Sequence, residues 1–126
     1  MVSGLEAVAD AIQVYEGWRP GTRSYINRNP GNLRLKGCPC DDKGYTIFTD
    51  FVSGYSALLR ELQSKFTGQN EHHIMPTSTL GELFNVYAPQ SDNNQPNLYA
   101  NFVAGFVSDA TDKKVTSSTP LQEIWK

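Results

Sequence analysis

SGLEAVADAIQVYEGW, residues 3 to 18, decides the fold class of this chain. Ser3 and Glu6 have the spacing of a capping box, which satisfies the open N–H groups of a first helical turn. Leu5, Val8, Ala9, Ile12 and Tyr15 then recur at helical spacing, an apolar stripe that needs burial against other elements. Gly17 is the natural stop, since glycine takes the left-handed conformation that closes a helix. Glu16, four residues past Ile12, thus closes the helix with its carboxyl beside the apolar stripe. Trp18 follows at once.

Outward from this helix, residues 19 to 44 are rich in Pro, Gly, Asn and Asp and read as an irregular loop with a short extended piece from Leu33 to Lys36. An Asp-Asp-Lys-Gly turn at 41 to 44 leads into Tyr45 to Phe51, whose aromatic and β-branched residues predict a strand and hence a small hairpin. From Ser53 a second helix places Tyr55, Leu58, Leu59, Leu62 and Phe66 on one face and ends at Gly68. Arg60 and Glu61 are left to solvent, and this helix is the candidate centre of the core. A polar linker at 69 to 78 follows. Thr79 and Glu82 form a second capping box for a helix that Pro89 ends, with Leu80, Leu83, Phe84 and Tyr87 as its apolar face. After a polar loop from Ser91 to Gln95, Pro96 suits a first helical turn, and Leu98, Tyr99, Phe102, Val103, Phe106 and Val107 continue the helical spacing. Thr119, Pro120 and Gln122 start a short last helix, with Trp125 covering an apolar edge. The expected class is α+β, mainly α, in one domain over residues 1 to 126.

Composition narrows the function. A chain of 126 residues suffices for one hydrophobic core, and the hydrophobic (39%) and charged (19%) fractions leave a surface dominated by neutral polar groups. Eleven basic against thirteen acidic residues give a net charge of −2, without the basic footprint that phosphate binding requires, so no nucleic acid partner is expected. No stretch approaches 18 apolar residues and the first residues lack the basic and apolar regions of a secretory signal, so no membrane partner is expected. Export by another route, carriage on a virion or release on lysis is expected instead. Cys38 and Cys40 flank Pro39, too close for an unstrained bridge, and His72 and His73 are adjacent instead of at ligand spacing, so neither metal nor cofactor is expected. The chain is expected to be a monomer.

Glu16 is the candidate for chemistry. A helix C-terminus disfavours a further negative charge, and an adjacent Trp18 is placed to exclude water; both conditions suit a proton donor. The loop after the helix, with Arg28-Asn29-Pro30-Gly31-Asn32-Leu33-Arg34, carries the amide, backbone and guanidinium donors that acetamido-bearing sugars need. Tyr87 and Tyr99 fit helical apolar stripes and so suit core packing as well as a contact at a surface. Phe48, Phe51, Phe102 and Phe106 are assigned to the core.

Glu16-Gly17, Asn29 to Arg34, Phe48 to Gly54, Tyr87-Ala88-Pro89, and Asp92-Asn93-Asn94 with Tyr99 occur in an order and spacing that resembles the lysozyme-like superfamily. The similarity is to small phage-associated and bacterial muramidase or lytic transglycosylase domains, and it covers residues 5 to 108. It implies a mainly helical fold with a β-hairpin beside a glycan cleft, Glu16 as general acid, and peptidoglycan strands as substrate. Asn32 and Arg34 would line one wall, and Tyr87, Asn93, Asn94 and Tyr99 the other. The reaction implied is cleavage of the β-1,4 bond between N-acetylmuramic acid and N-acetylglucosamine.

A second carboxylate decides between mechanisms, since two-carboxylate glycosidases separate the groups by roughly 5 Å, or by roughly 6.5–9.5 Å where a water must fit. Asp50, Asp41 and Asp42 are the candidates from the hairpin. Asp50 equally suits a helix cap, and Asp41 with Asp42 suits ordinary turn chemistry. Lytic transglycosylases manage with one Glu because the substrate's 6-hydroxyl attacks, so hydrolysis and transglycosylation both stay open, with a lean to the anhydro product. The reading from another class is a catalytically silent glycan-binding or virion structural module that keeps the cleft.

Overall fold

The computed structural model describes residues 3–70, 72–88 and 94–125. Among the described residues, six helices follow in order: α1 (Gly4–Tyr15), α2 (Arg23–Ile26), α3 (Phe51–Phe66), α4 (Leu80–Tyr87), α5 (Pro96–Thr111) and α6 (Leu121–Trp125). Their ends are set by local chemistry. Ser3 Oγ accepts from Glu6 N, Asp50 accepts from Ser53 N, and Thr79 with Glu82 makes the full reciprocal capping box. Pro96 opens α5 in the first turn, where its missing N–H costs nothing. The predicted stop at Pro89 lies outside the described residues, and α4 runs to Tyr87.

The close of α1 sets the course of the chain beside Glu16. Gly17 has φ +78°, its N–H reaches Val14 O at 3.0 Å, and Trp18 N–H reaches Gln13 O at 3.3 Å. This paired bonding is a Schellman stop, which satisfies the last carbonyls and turns the chain sharply away from the helix axis.

Helix α1 packs against α3, α5 and α6, while α4 packs on α5 and α3 on α6. The hub is therefore α1, and not the helix from 53 to 68. Ala7, Ala9 and Ala11 are completely buried, and such small side chains let three neighbours approach one helix. Val8, Ile12, Leu58, Leu62, Phe84, Tyr99, Val103, Leu121 and Ile124 complete one continuous core. Each of these large buried side chains contributes about 1.5–3 kcal/mol relative to exposure.

Two further expectations fail. The strand over 45 to 51 is absent from the described residues, where Cys40 and Thr46 form only an isolated antiparallel bridge. The reason lies in where the backbone groups go: Thr46 N bonds Leu33 O at 2.9 Å and Phe48 N bonds Asn27 O at 2.9 Å, so the run pairs with loop carbonyls in place of a partner strand. Its last residue, Phe51, already belongs to α3. Phe51 and Phe102 are also not core residues, each being 38% exposed. They sit at the edge of aromatic contacts, Phe51 against Trp18 and Tyr55, Phe102 against Tyr15 and Phe106.

Candidate functional site

Glu16 caps the C-terminus of α1 with its side chain held at both oxygens. Asn32 Nδ2 donates to Oε1 at 2.8 Å and the Tyr99 hydroxyl donates to Oε2 at 2.6 Å. The two donors come from the loop after α1 and from α5, so the carboxyl sits where three segments meet. Tyr99 is itself 1% exposed, stacked between Tyr15 and Phe84 at centroid distances of 3.9 and 4.5 Å. Burial, then the Tyr87 hydroxyl and the Glu16 carboxylate, push the Tyr99 hydroxyl well above its ordinary range. It therefore keeps its proton through neutral pH and can only donate to Glu16. Tyr99 is thus both core and site, but its contact is with the carboxyl.

The loop reaches Glu16 because one amide folds it. Asn29 is completely buried and makes three bonds: Nδ2 to Leu33 O and to Thr46 O, at 3.0 and 2.9 Å, and Oδ1 from Leu33 N at 2.9 Å. These bonds, with Asn32 N on Asn29 O at 3.0 Å, wrap Asn29 to Leu33 into a tight turn. Asn32 takes φ +47° at its end, a conformation asparagine tolerates better than most residues. The Tyr87 hydroxyl donates to Gly31 O at 2.6 Å and ties the turn to α4. At Gly54 a Cβ would overlap the Arg28 carbonyl, so glycine is what lets the turn lie on α3.

Glu16, Asn32, Arg34, Tyr87 and Asn94 line one pocket, whereas Tyr99 is not among its lining residues. Arg34 lies at its rim with its guanidinium 4.2 Å over the Tyr45 ring and its Nη2 on the Tyr45 hydroxyl at 2.8 Å. Asn94 does not cap α5, since Gln95 holds that position without a side-chain cap bond. Asn93 lies outside the described residues.

The three carboxylates named from the sequence are elsewhere. Asp50 caps α3 through a 2.8 Å bond from Ser53 N, which holds its carboxyl below the usual range, and it lines a different groove with Trp18. Asp41 accepts from Asn27 Nδ2 at 2.9 Å and from Tyr45 N and Lys43 N at 2.9 Å, with Arg23 Nε at 3.5 Å. The Asn27 bond is the main cause that lowers its carboxyl. Asp42 lies in the adjoining turn and lines neither cavity.

Trp18 also departs from expectation. Its ring packs 5.1 Å from both Tyr25 and Phe51, in a groove with Gln13, Ile26, Arg28 and Asp50, and it does not line the Glu16 pocket. The Schellman stop turns the two neighbours onto different surfaces.

No protein-family model matches this chain, and no solved structure matches it.

The pocket contains groups that sequence reasoning missed: Glu61, Lys65 and His72. Lys65 Nζ lies 3.4 Å from Glu61 Oε2, and Lys65 is 6% exposed. A signal for Lys65 was present, since it stands seven residues after Leu58 and so on the same helical face. Glu61, one turn earlier, borders that face. His72 is placed by Asn70, whose Oδ1 accepts from His72 N and Ile74 N at 3.1 Å while its Nδ2 donates to Ser64 O and Ile74 O. Among the described residues no group of three or more His, Cys, Asp or Glu is arranged to hold a metal ion, and Cys38 and Cys40 are free and exposed. No helix among them is long and apolar enough to cross a membrane.

Proposed function

We propose that this chain is a lysozyme-like glycosidase that cleaves the β-1,4 bond between N-acetylmuramic acid and N-acetylglucosamine in peptidoglycan. The observation that carries the reading is the Glu16 carboxyl at a pocket wall, with Asn32 on one oxygen and Tyr99 on the other. A carboxyl fixed in this way has the pre-set orientation that proton transfer requires, and each oxygen keeps a further lone pair for the reacting proton.

Glu16 gives its proton to the glycosidic oxygen as the bond from the anomeric carbon breaks. The attacking group is a water or the substrate's own 6-hydroxyl, whose proton passes to a base in the pocket or to solvent. The pocket's other groups suit an N-acetylated sugar. Asn32 Oδ1 is buried with no hydrogen-bond partner among the described residues, and an acetamido N–H is a donor of the right kind for it. Tyr87, Arg34 and Asn94 supply ring face and polar contacts along the same walls.

Purified cell walls incubated with the protein test the reading. Muropeptide release by the wild type and its loss in Glu16→Gln, at unchanged melting temperature, is the expected result. Wall binding without release returns the chain to a silent glycan-binding or virion structural module.

A further inference from the structure

We propose that Glu61 is the second catalytic carboxylate of this pocket, acting as the base that activates a water, so that the chain hydrolyses its substrate with inversion. The inference rests on the glycan-cleaving reading of Glu16. Of all the carboxylates in the described residues, only Glu16 and Glu61 line this cavity. They reach it from different elements, Glu16 from the end of α1 and Glu61 from the third turn of α3. The three alternatives are committed or remote, Asp50 to a helix cap, Asp41 to Asn27 and Arg23, and Asp42 to a turn outside the cavity.

Glu61 has the surroundings such a base needs. Its side chain is 40% exposed, so water reaches it, and Lys65, nearly buried below it, holds Oε2 from 3.4 Å. A carboxylate has about four acceptor positions, so one bond to Lys65 leaves capacity for a water. Tyr87 lines the same cavity with its hydroxyl committed to Gly31 O at 2.6 Å, so it leaves both carboxylates free for the reaction. An acid and a water-activating base that face one cavity are the pairing an inverting glycosidase uses.

The step balances without any further reagent. Glu61 accepts one proton from water as the water oxygen bonds to the anomeric carbon. The bond to the departing oxygen breaks, and that oxygen takes the proton of Glu16. Glu61 then gives its proton up to solvent, and solvent reprotonates Glu16.

The experiment follows products and rescue in the full chain. Wild-type digestion of cell walls should give reducing muramic acid ends, released as the α anomer when followed by NMR. Glu61→Gln should lower kcat roughly 100-fold or more, and Glu61→Ala should regain cleavage with added azide, which needs no base, as an α-glycosyl azide. Asp50→Asn, in the other groove, should turn over as the wild type does. Rescue also reports that the variant is folded. Products ending in 1,6-anhydromuramic acid, or Glu61→Gln turning over like the wild type, would overturn Glu61 and leave Glu16 standing. A wild type that releases nothing overturns both.

Discussion

Glu16 and Trp18 are two residues apart, yet one ends in a polar pocket and the other in an aromatic groove. Around Glu16, the ligating groups are the amide of a tightly turned loop and a buried phenol, each held by further contacts that leave the carboxyl little freedom. Around Trp18, the contacts are ring edges with Tyr25 and Phe51, and Ile26 and Val52 nearby are 62% and 70% exposed. A carboxyl next to a tryptophan in sequence therefore need not be shielded by it. The left-handed Gly17 sends the two side chains apart, and Tyr99 takes the shielding role from eighty-three residues away.

The largest expected effect tests the grip on Glu16. Asn32→Gly, which keeps the positive φ, combined with Tyr99→Phe removes both donors. Hydrogen bonds to a charged group are worth about 1.5–3 kcal/mol each, so muropeptide release should fall roughly 100- to 10,000-fold. A fall of less than tenfold would mean that Glu16 needs no such support. Next comes the loop that brings Asn32 there. Asn29→Ala leaves one backbone donor and two carbonyls without their partner and should cost about 3 kcal/mol, read in urea unfolding. A loss below about 1 kcal/mol would show that the turn holds without its amide.

In the aromatic groove, Trp18→Ala should cost about 2 kcal/mol, less than a fully buried tryptophan because the ring is only half-buried. Muropeptide release should stay within about threefold of the wild type, since a ring outside the pocket leaves the barrier to cleavage essentially unchanged. Release that falls with the tryptophan would join the two regions into one site. The smallest effect is on acid stability. Asp41 and Asp50 are held below the ordinary carboxylate range, so each binds fewer protons folded than unfolded near its titration. Their stabilisation is complete above the unfolded value near 4 and is lost as pH falls through the lowered folded values. Melting temperature measured from pH 6 to 2 should drop on this limb, and Asp41→Asn should flatten the drop while leaving the pH dependence of release unchanged.

Much of the helical plan was legible. Ser3, Thr79 with Glu82, Gly17, Gly68 and Pro96 are local signals, and each sits where its hydrogen bonding or fixed dihedral requires. Asp50 was legible as a cap for the same reason. The extended run at Tyr45 to Phe51 misled, because strand propensity says nothing about whether a partner strand exists, and here the loop carbonyls of Asn27 and Leu33 are nearer. Phe51 and Phe102 misled because apolar spacing marks a face without saying what covers it.

Glu16 could be named from the sequence because a helix end is set within a few residues of itself. The turn around Asn29 could be named as a loop, but its purpose could not, since the amide's partners lie up to 17 residues away. That Glu61 faces the same pocket as Glu16 was beyond the sequence altogether. Glu61 reads as a solvated residue on the edge of a helix until α3, α4 and the Asn29 turn are packed together and leave a cavity at that edge. Periodicity assigns a residue to a side of its own helix, whereas a pocket is the space that several elements fail to fill, and only their packing decides which polar groups face it.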